Sequence, residues 1–212
     1  AQEADLVVVN HHLLLADLAM KEEGFVEFLP DAEAVIIDEA HQLPDLAVQF
    51  FGVALGSREV ERLVDDLRAA TLPYSQADLN GRIDRLQTAI RAWRAAAPRK
   101  EGRYEYGEVV DDLREAHDAL SHAVHDAREA IAGLGDASVE IEKLGEQLLA
   151  VGERLGVLVS EDAWDGLRWL EIRPRSLRLH LTPLDVSSKL NALIDNGFQA
   201  WVFTSATLAV GE

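Results

Sequence analysis

The sequence predicts an α/β fold in which part of a parallel β-sheet is interrupted by a long all-α insertion. Two observations predict the sheet. Ala34-Val35-Ile36-Ile37 and Ala200-Trp201-Val202-Phe203 are short apolar runs without a polar break, and such runs read as strands buried on both faces under flanking helices. A third observation predicts the insertion. Beyond Leu43 the apolar residues change to helical spacing and keep it to about residue 160.

Composition sets the outer limits. At 212 residues the chain is long enough to bury a real core. Its 38 acidic residues outnumber 20 basic ones, for a net charge of −18, which excludes a general nucleic-acid-binding surface because phosphate contact needs Lys and Arg. Any such contact has to be local, so the placement of the basic residues carries more information than their number. The chain has no cysteine, which rules out disulfides and thiolate metal sites within it. No apolar run approaches the roughly 20 residues of a membrane span, and no signal pattern is seen at Ala1. The expectation is a soluble, cytoplasmic protein with no membrane partner. The absence of an initiator Met reads as a segment of a longer protein.

In chain order, residues 5 to 9 are expected to form an apolar strand. Asn10-His11-His12 end it before a short helix to about Ala19, and the histidines read either as loop caps or as ligand contacts. Gly24 to Glu33, with Pro30, is a loop into the Ala34–Ile37 strand. That strand ends in Asp38-Glu39-Ala40-His41. Ligands of parallel sheets sit just beyond the carboxyl ends of the strands. Two adjacent carboxylates there can divide the work of nucleotide hydrolysis: Asp38 holds Mg²⁺ through water and Glu39 orients or deprotonates the attacking water. Acids at a strand end also simply begin turns. The second apolar run favours the chemical reading, because it ends in Thr204-Ser205-Ala206-Thr207, whose hydroxyls at the same edge can bond the acids and relay the nucleotide state to a neighbouring domain.

Four apolar stripes define the insertion, read as a four-helix unit over 57 to 160. Val60, Leu63, Val64 and Leu67 form the first, and Leu79, Ile83, Leu86, Ile90 and Trp93 the second, which Pro98 ends. Val109, Leu113, Ala116, Leu120, Val124, Ala127 and Ile131 form the third, stopped at Gly133-Leu134-Gly135. Ile141, Leu144, Leu148, Val151, Leu155 and Leu158 form the fourth, stepping by three and four as antiparallel packed helices require. His117, His122 and His125 lie among acids on the third helix and read as a solvated face rather than a metal site.

Two basic clusters interrupt the acidic pattern. Arg99, Lys100 and Arg103, with Tyr104 and Tyr106, fall in a loop between the second and third helices. Arg168, Arg173, Arg175 and Arg178, with Trp164, Trp169 and His180, follow the fourth. Cations beside aromatic rings suit a single nucleic-acid strand, phosphates meeting Arg and bases stacking on rings; the same residues also read as core aromatics and paired arginines. Residues 167 to 172 and 177 to 182 read as two short strands that lead the chain out of the helical insert and back to the domain of the first apolar run. Asp185 or Ser187 then caps a helix through about Ile194, and Asn196-Gly197 turns into the last strand.

Val35-Ile36-Ile37-Asp38-Glu39-Ala40-His41 resembles motif II (Walker B) of superfamily 2 helicases, and Ser205-Ala206-Thr207 resembles motif III. Ala4 to Leu15, the long helical insert between the motifs, and Leu181-Thr182-Pro183-Leu184-Asp185-Val186 resemble the XPD/DinG family of 5′-to-3′ DNA helicases, most closely its bacterial DinG/YoaA-like branch. Within that resemblance, residues 1–50 and 164–212 are part of a RecA-like (P-loop NTPase) motor domain and 51–163 are the helical Arch domain. Asp38, Glu39 and His41 are then the catalytic motif, Thr204 to Thr207 the coupling motif, and Asn10, His11 and the four arginines from Arg168 to Arg178 DNA contacts. The resemblance implies ATP, Mg²⁺ and a 4Fe-4S cluster in the parent protein, single-stranded DNA and a replication or repair protein as partners, and a monomeric parent. The chain departs from the family by lacking Gly-x-x-x-x-Gly-Lys-[Ser/Thr] and the cluster's cysteines, so the isolated segment is expected to hydrolyse nothing. A second reading makes the helical insert a protein-docking module on a motor relic.

Overall fold

The computed structural model describes residues 4–22, 29–30, 32–74, 77–134, 138–160, 166–196 and 199–206. It divides into two compact units: residues 1–52 with 182–212, and residues 53–181.

The first unit contains the parallel pair. Helix α1 (His11–Glu22) leads to strand β1 (Ala34–Ile37) and, after one 3-10 turn, to α2 (Leu43–Phe51), whose Pro44 sits in the first turn where no N–H is missed. The mixed α/β class and the helical insertion agree with the expectation from sequence. Residues 5–9 do not form the expected strand, and Leu6 and Val8 are strongly exposed there. A run of β-forming residues becomes a strand only where a partner completes its ladder, and among the described residues none does.

The second unit opens with β2 (Val53–Gly56), followed by α3 (Ser57–Thr71), α4 (Ala77–Ala96), β3 (Gly102–Glu105), α5 (Tyr106–Ala132) and α6 (Val139–Val159). The four helices pack in a ring, α3 on α4, α4 on α5, α5 on α6 and α6 on α3. Every residue of the four stripes is buried, including Trp93, Leu113, Leu120 and Leu155 with no exposure at all. Ser138 caps α6 by accepting the Ile141 N–H, with Glu140 and Glu142 in the first turn where the helix dipole favours acids.

Strands β4 (Gly166–Arg173) and β5 (Ser176–Pro183) complete a four-stranded antiparallel sheet of order β2-β5-β4-β3. Residues 164–181, assigned from sequence to the same domain as the first apolar run, fall instead in the compact unit of residues 53–181. Leu55, Leu170, Leu177, Leu179 and Leu181 share one core with the helices, and burial of those leucines holds β4 and β5 in the helical unit. Arg103, expected in a loop, is on β3. His117, expected on a solvated face, is buried beside Trp93 and Tyr106.

The chain then re-enters the first unit through α7 (Val186–Asn196) and β6 (Ala200–Phe203). Asp185 Oδ1 accepts the Ser188 N–H at 3.0 Å and caps α7. The expected turn residue Gly197 lies outside the described residues. Strand β6 pairs parallel to β1 in the register Ala34↔Ala200, Val35↔Trp201, Ile36↔Val202, Ile37↔Phe203. Leu14, Leu15 and Leu18 of α1 and Leu190 of α7 pack with Val35, Ile37 and Trp201, whereas Ile36 is 67% and Val202 47% exposed. Among the described residues the two strands are covered on one face. Among the described residues no helix is long and apolar enough to cross a membrane.

Candidate functional site

The parallel register of β1 and β6 sets the geometry. With Ile37 opposite Phe203, the next residues along, Asp38 and Thr204, leave the sheet side by side at its carboxyl edge. Backbone bonds lock the two ends together: the Thr204 N–H donates to Ile37 O at 2.8 Å, and the Ala40 N–H donates to Thr204 O at 2.9 Å. The Thr204 hydroxyl donates to Asp38 Oδ1 at 2.9 Å, and the Glu39 N–H donates to the same oxygen at 3.0 Å. Two donors on Oδ1 fix the carboxylate rotamer.

Glu39 adopts a left-handed backbone, φ 50° and ψ 46°, and is the only non-glycine residue with positive φ among those described. That conformation costs a residue with a Cβ on the order of 1 kcal/mol, and strain of this kind collects at working sites. The turn lets the chain leave β1 and enter α2 within three residues of 3-10 helix, Ala40–Gln42. It also brings Glu39 Oε2 to 3.2 Å from His41 Nδ1, which lies 2.9 Å from Ser205 Oγ. A proton on Nδ1 serves both oxygens, so His41 links the acid motif to the hydroxyl motif. Glu39 and His41 are about half exposed and open to solvent.

The structure thus gathers Asp38, Glu39, His41, Thr204 and Ser205 at one sheet edge. Ala206 follows in a turn, and Thr207 lies outside the described residues. Asn10 spends its side chain on α1, accepting the Leu13 N–H at 2.8 Å, and His11 is the first residue of that helix.

The arginine cluster belongs to the second unit and splits by strand alternation. Arg168 points to the core side of β4, with its guanidinium 5.7 Å from the Tyr106 ring centre. Arg173 and Arg178 lie on the outer face with Trp169 and His180, and Arg175 is exposed in the β4–β5 turn. Burial, then Arg178, pushes the His180 imidazole down to about 4, against an upward pull from Glu171, so it is neutral near pH 7. Arg103, read from sequence as part of the other basic cluster, joins this face, its charge 4.9 Å from the Trp169 ring centre. Only the β3–β4 pairing, which sets Arg103 opposite Glu171, reveals that placement. Trp164 lies outside the described residues.

Mg²⁺ and a 4Fe-4S cluster can be tested against the side chains present. Asp38 keeps Oδ2 on an exposed edge while Oδ1 is held by two donors, which fits a cation reached through water. Among the described residues no group of three or more His, Asp or Glu side chains stands close enough to chelate a metal directly. The cluster does not fit this chain, which has no cysteine.

A parallel pair whose strand ends place paired acids beside a hydroxyl motif, with a helical unit between the two strands in sequence, defines the class: a mixed α/β chain with a long helical insertion. Relatives narrow it. No protein-family model matches the chain. It is 35% identical over 216 residues to the ATP-dependent DNA helicase YoaA of Haemophilus influenzae and 37% identical over 224 residues to that of Escherichia coli, in each case matching 100% of this chain and 34% of the relative. It is 26% identical over 249 residues to the ATP-dependent DNA helicase DinG of Photobacterium profundum, matching 97% of this chain and 36% of that protein. Among solved structures it resembles Xpd4 of S. tokodaii with a TM-score of 0.44 and 13% identity, over 92% of this chain and 40% of that one. The chain belongs with the XPD/DinG-like helicases and spans about a third of the length of the curated relatives it matches.

Proposed function

We propose that this chain is the part of an ATP-dependent DNA helicase that carries the hydrolytic acids, the coupling motif and a helical domain over the single strand. One observation carries the reading: the paired Thr204–Asp38 and Ser205–His41 contacts join two motifs that are far apart in sequence but adjacent on one sheet edge. Asp38 would hold Mg²⁺ through water, and the ion would neutralise phosphate charge as the terminal bond of ATP breaks. Glu39 would orient and deprotonate the attacking water, with His41 Nδ1 holding its carboxylate in place. Ser205, bonded to His41, would sense any movement of that pair and transmit it along β6. The phosphate loop and its lysine are not in this sequence, so the chain alone would not turn over ATP.

In the full-length protein, working in the cytoplasm as a monomer, the expected reaction is 5′-to-3′ unwinding of forked DNA in repair or replication. Support for the DNA side comes from Arg173, Arg175 and Arg178, which lie close together on an otherwise acidic chain. Glu39→Gln in the full-length protein should abolish Mg²⁺-dependent ATP hydrolysis while leaving single-strand binding intact. Arg173→Ala with Arg175→Ala should weaken that binding and flatten its salt dependence. Unchanged hydrolysis or unchanged binding, respectively, would refute each half.

The other reading, a helical protein-docking module on a motor relic, draws on the net charge of −18, which favours a basic partner. Retained ATPase activity and single-strand binding in the full-length protein would exclude it.

A further inference from the structure

Strands β3, β4 and β5 set Arg103, Trp169 and His180 side by side on the outer face of the antiparallel sheet. The His180 ring lies flat on Trp169, centroids 3.9 Å apart and planes within 1°. The Arg103 guanidinium stands over the same indole at 4.9 Å. His180 comes from β5 and Arg103 from β3, the strands on either side of β4, so Trp169 is flanked on both sides. A base-stacking platform needs an open ring face, and this tryptophan has none to offer. In its neighbour His180 the Nε2 atom is buried without a partner among the described residues, so that nitrogen does not face outward to a base.

The cations on this face are differently placed. Arg103, Arg173, Arg175 and Arg178 are all exposed. Arg173 is shared with Glu171 at 3.2 Å, whereas among the described residues neither Arg175 nor Arg178 stands within ion-pair distance of a carboxylate. Arg178 lies above Gly56 of β2, where no side chain competes for the space. Arg103, held against an indole that is itself backed by an imidazole, has its orientation set before any ligand arrives.

The geometry points to a sheet face that takes a single strand by its phosphates alone, with Trp169 and His180 as a closed stack that fixes Arg103 rather than a platform for bases. This rests on the single-strand reading above and specifies which part of the strand is held. Such a contact is indifferent to base identity and even to the presence of bases. A strand could then slide across it without an unstacking step at each nucleotide.

The test is fluorescence anisotropy on the whole chain with three probes of equal length: oligo-dT, an abasic oligomer and oligo-dT with neutral methylphosphonate linkages. The abasic probe should bind within about twofold of oligo-dT and the methylphosphonate probe far more weakly. Arg178→Gln should weaken oligo-dT and the abasic probe by the same factor and reduce the slope of log affinity against log salt by about 0.7. An abasic probe bound tenfold or more weakly than oligo-dT would overturn the phosphate-only contact and leave the single-strand reading standing. No binding of any probe would overturn both, whereas oligo-dT binding untouched by Arg178→Gln would overturn this face as the contact and leave the single-strand reading standing. Poly-glutamate bound as tightly as oligo-dT, and equally sensitive to Arg178→Gln, would assign the face to an acidic protein and overturn its assignment to nucleic acid.

Discussion

Thr204 donates its hydroxyl proton to Asp38 Oδ1 at 2.9 Å across the ends of two strands that the sequence separates by the whole helical unit. The bond makes the residue before Ser205-Ala206-Thr207 one of the two donors that hold Asp38, the acid proposed to hold Mg²⁺. Thr204→Val keeps the shape and removes the donor. In the full-length protein the Mg²⁺ concentration for half-maximal ATP hydrolysis should rise several-fold, and Thr204→Ser should restore it. The stability cost should be small, about 0.5–1 kcal/mol, because the bond is solvent-exposed. An unchanged Mg²⁺ titration would mean that Asp38 is held by the Glu39 N–H alone.

Glu39 should show a trade between stability and activity. Its left-handed backbone is one that glycine adopts without penalty, so Glu39→Gly should raise the stability of the first unit by up to about 1 kcal/mol while abolishing hydrolysis in the full-length protein. Glu39→Gln should lose hydrolysis with no gain in thermal stability. Equal melting temperatures for the two variants would show that the conformation carries no strain.

His117 should make the helical unit acid-sensitive. Burial pushes its imidazole down to about 4, and the Tyr106 hydroxyl, itself pushed up by burial and so protonated, lies 3.3 Å from Nδ1. The folded-state value lies below the unfolded one near 6.5. Between these values the unfolded chain takes up a proton that the folded one refuses, so the contribution is intact above pH 6.5, falls as pH drops towards 4, and is level below that. Its size is on the order of 3 kcal/mol. Helicity followed through urea unfolding should show that loss, and His117→Phe should reduce it, leaving the part due to His180, which has the same direction and window.

Residues 53–181 should fold alone. Their first and last residues, Val53 and Leu181, are partners in the β2–β5 ladder, so the excised unit closes on itself. In that fragment Leu155→Ala, at a site with no exposure, should cost about 2–5 kcal/mol by urea unfolding. Leu149→Ala on the same helix, at 38% exposure, should cost less than 1.5 kcal/mol by the same measure, roughly the value of a partly buried side chain. Equal costs would contradict the packing of α6.

What was readable in the sequence followed the reach of each signal. The four helices are legible because Leu, Ile and Val at steps of three and four report on a face within one segment, whatever that face meets. The site is legible because its two halves each end an apolar run. The sheet of the helical unit is not. Strands β2 and β3 have four residues each, and Gly102-Arg103-Tyr104-Glu105 has no apolar alternation because only Tyr104 turns towards the core. The placement of Arg103 beside Trp169 depends on a partner that sequence spacing does not specify. His117 is misread for a related reason: its neighbours in sequence are acids, whereas its neighbours in space are Trp93 and Tyr106. Ile36 and Val202 show the converse limit, since apolar runs report the capacity for burial and not its completion.

The pairing of Val53 with Leu181 also dictates an order of folding. Joining β1 to β6 from an unfolded chain means closing a loop that contains the whole helical unit, and loop-closure entropy opposes it. Once the unit has folded, its two ends are ladder neighbours, and the loop left to close consists only of the short segments on either side. Each halving of loop length recovers about 0.6 kcal/mol, and more slowly formed long-range contacts become local ones. The strand-end edge, with Asp38 beside Thr204, should therefore assemble after the unit that the sequence places between its two strands.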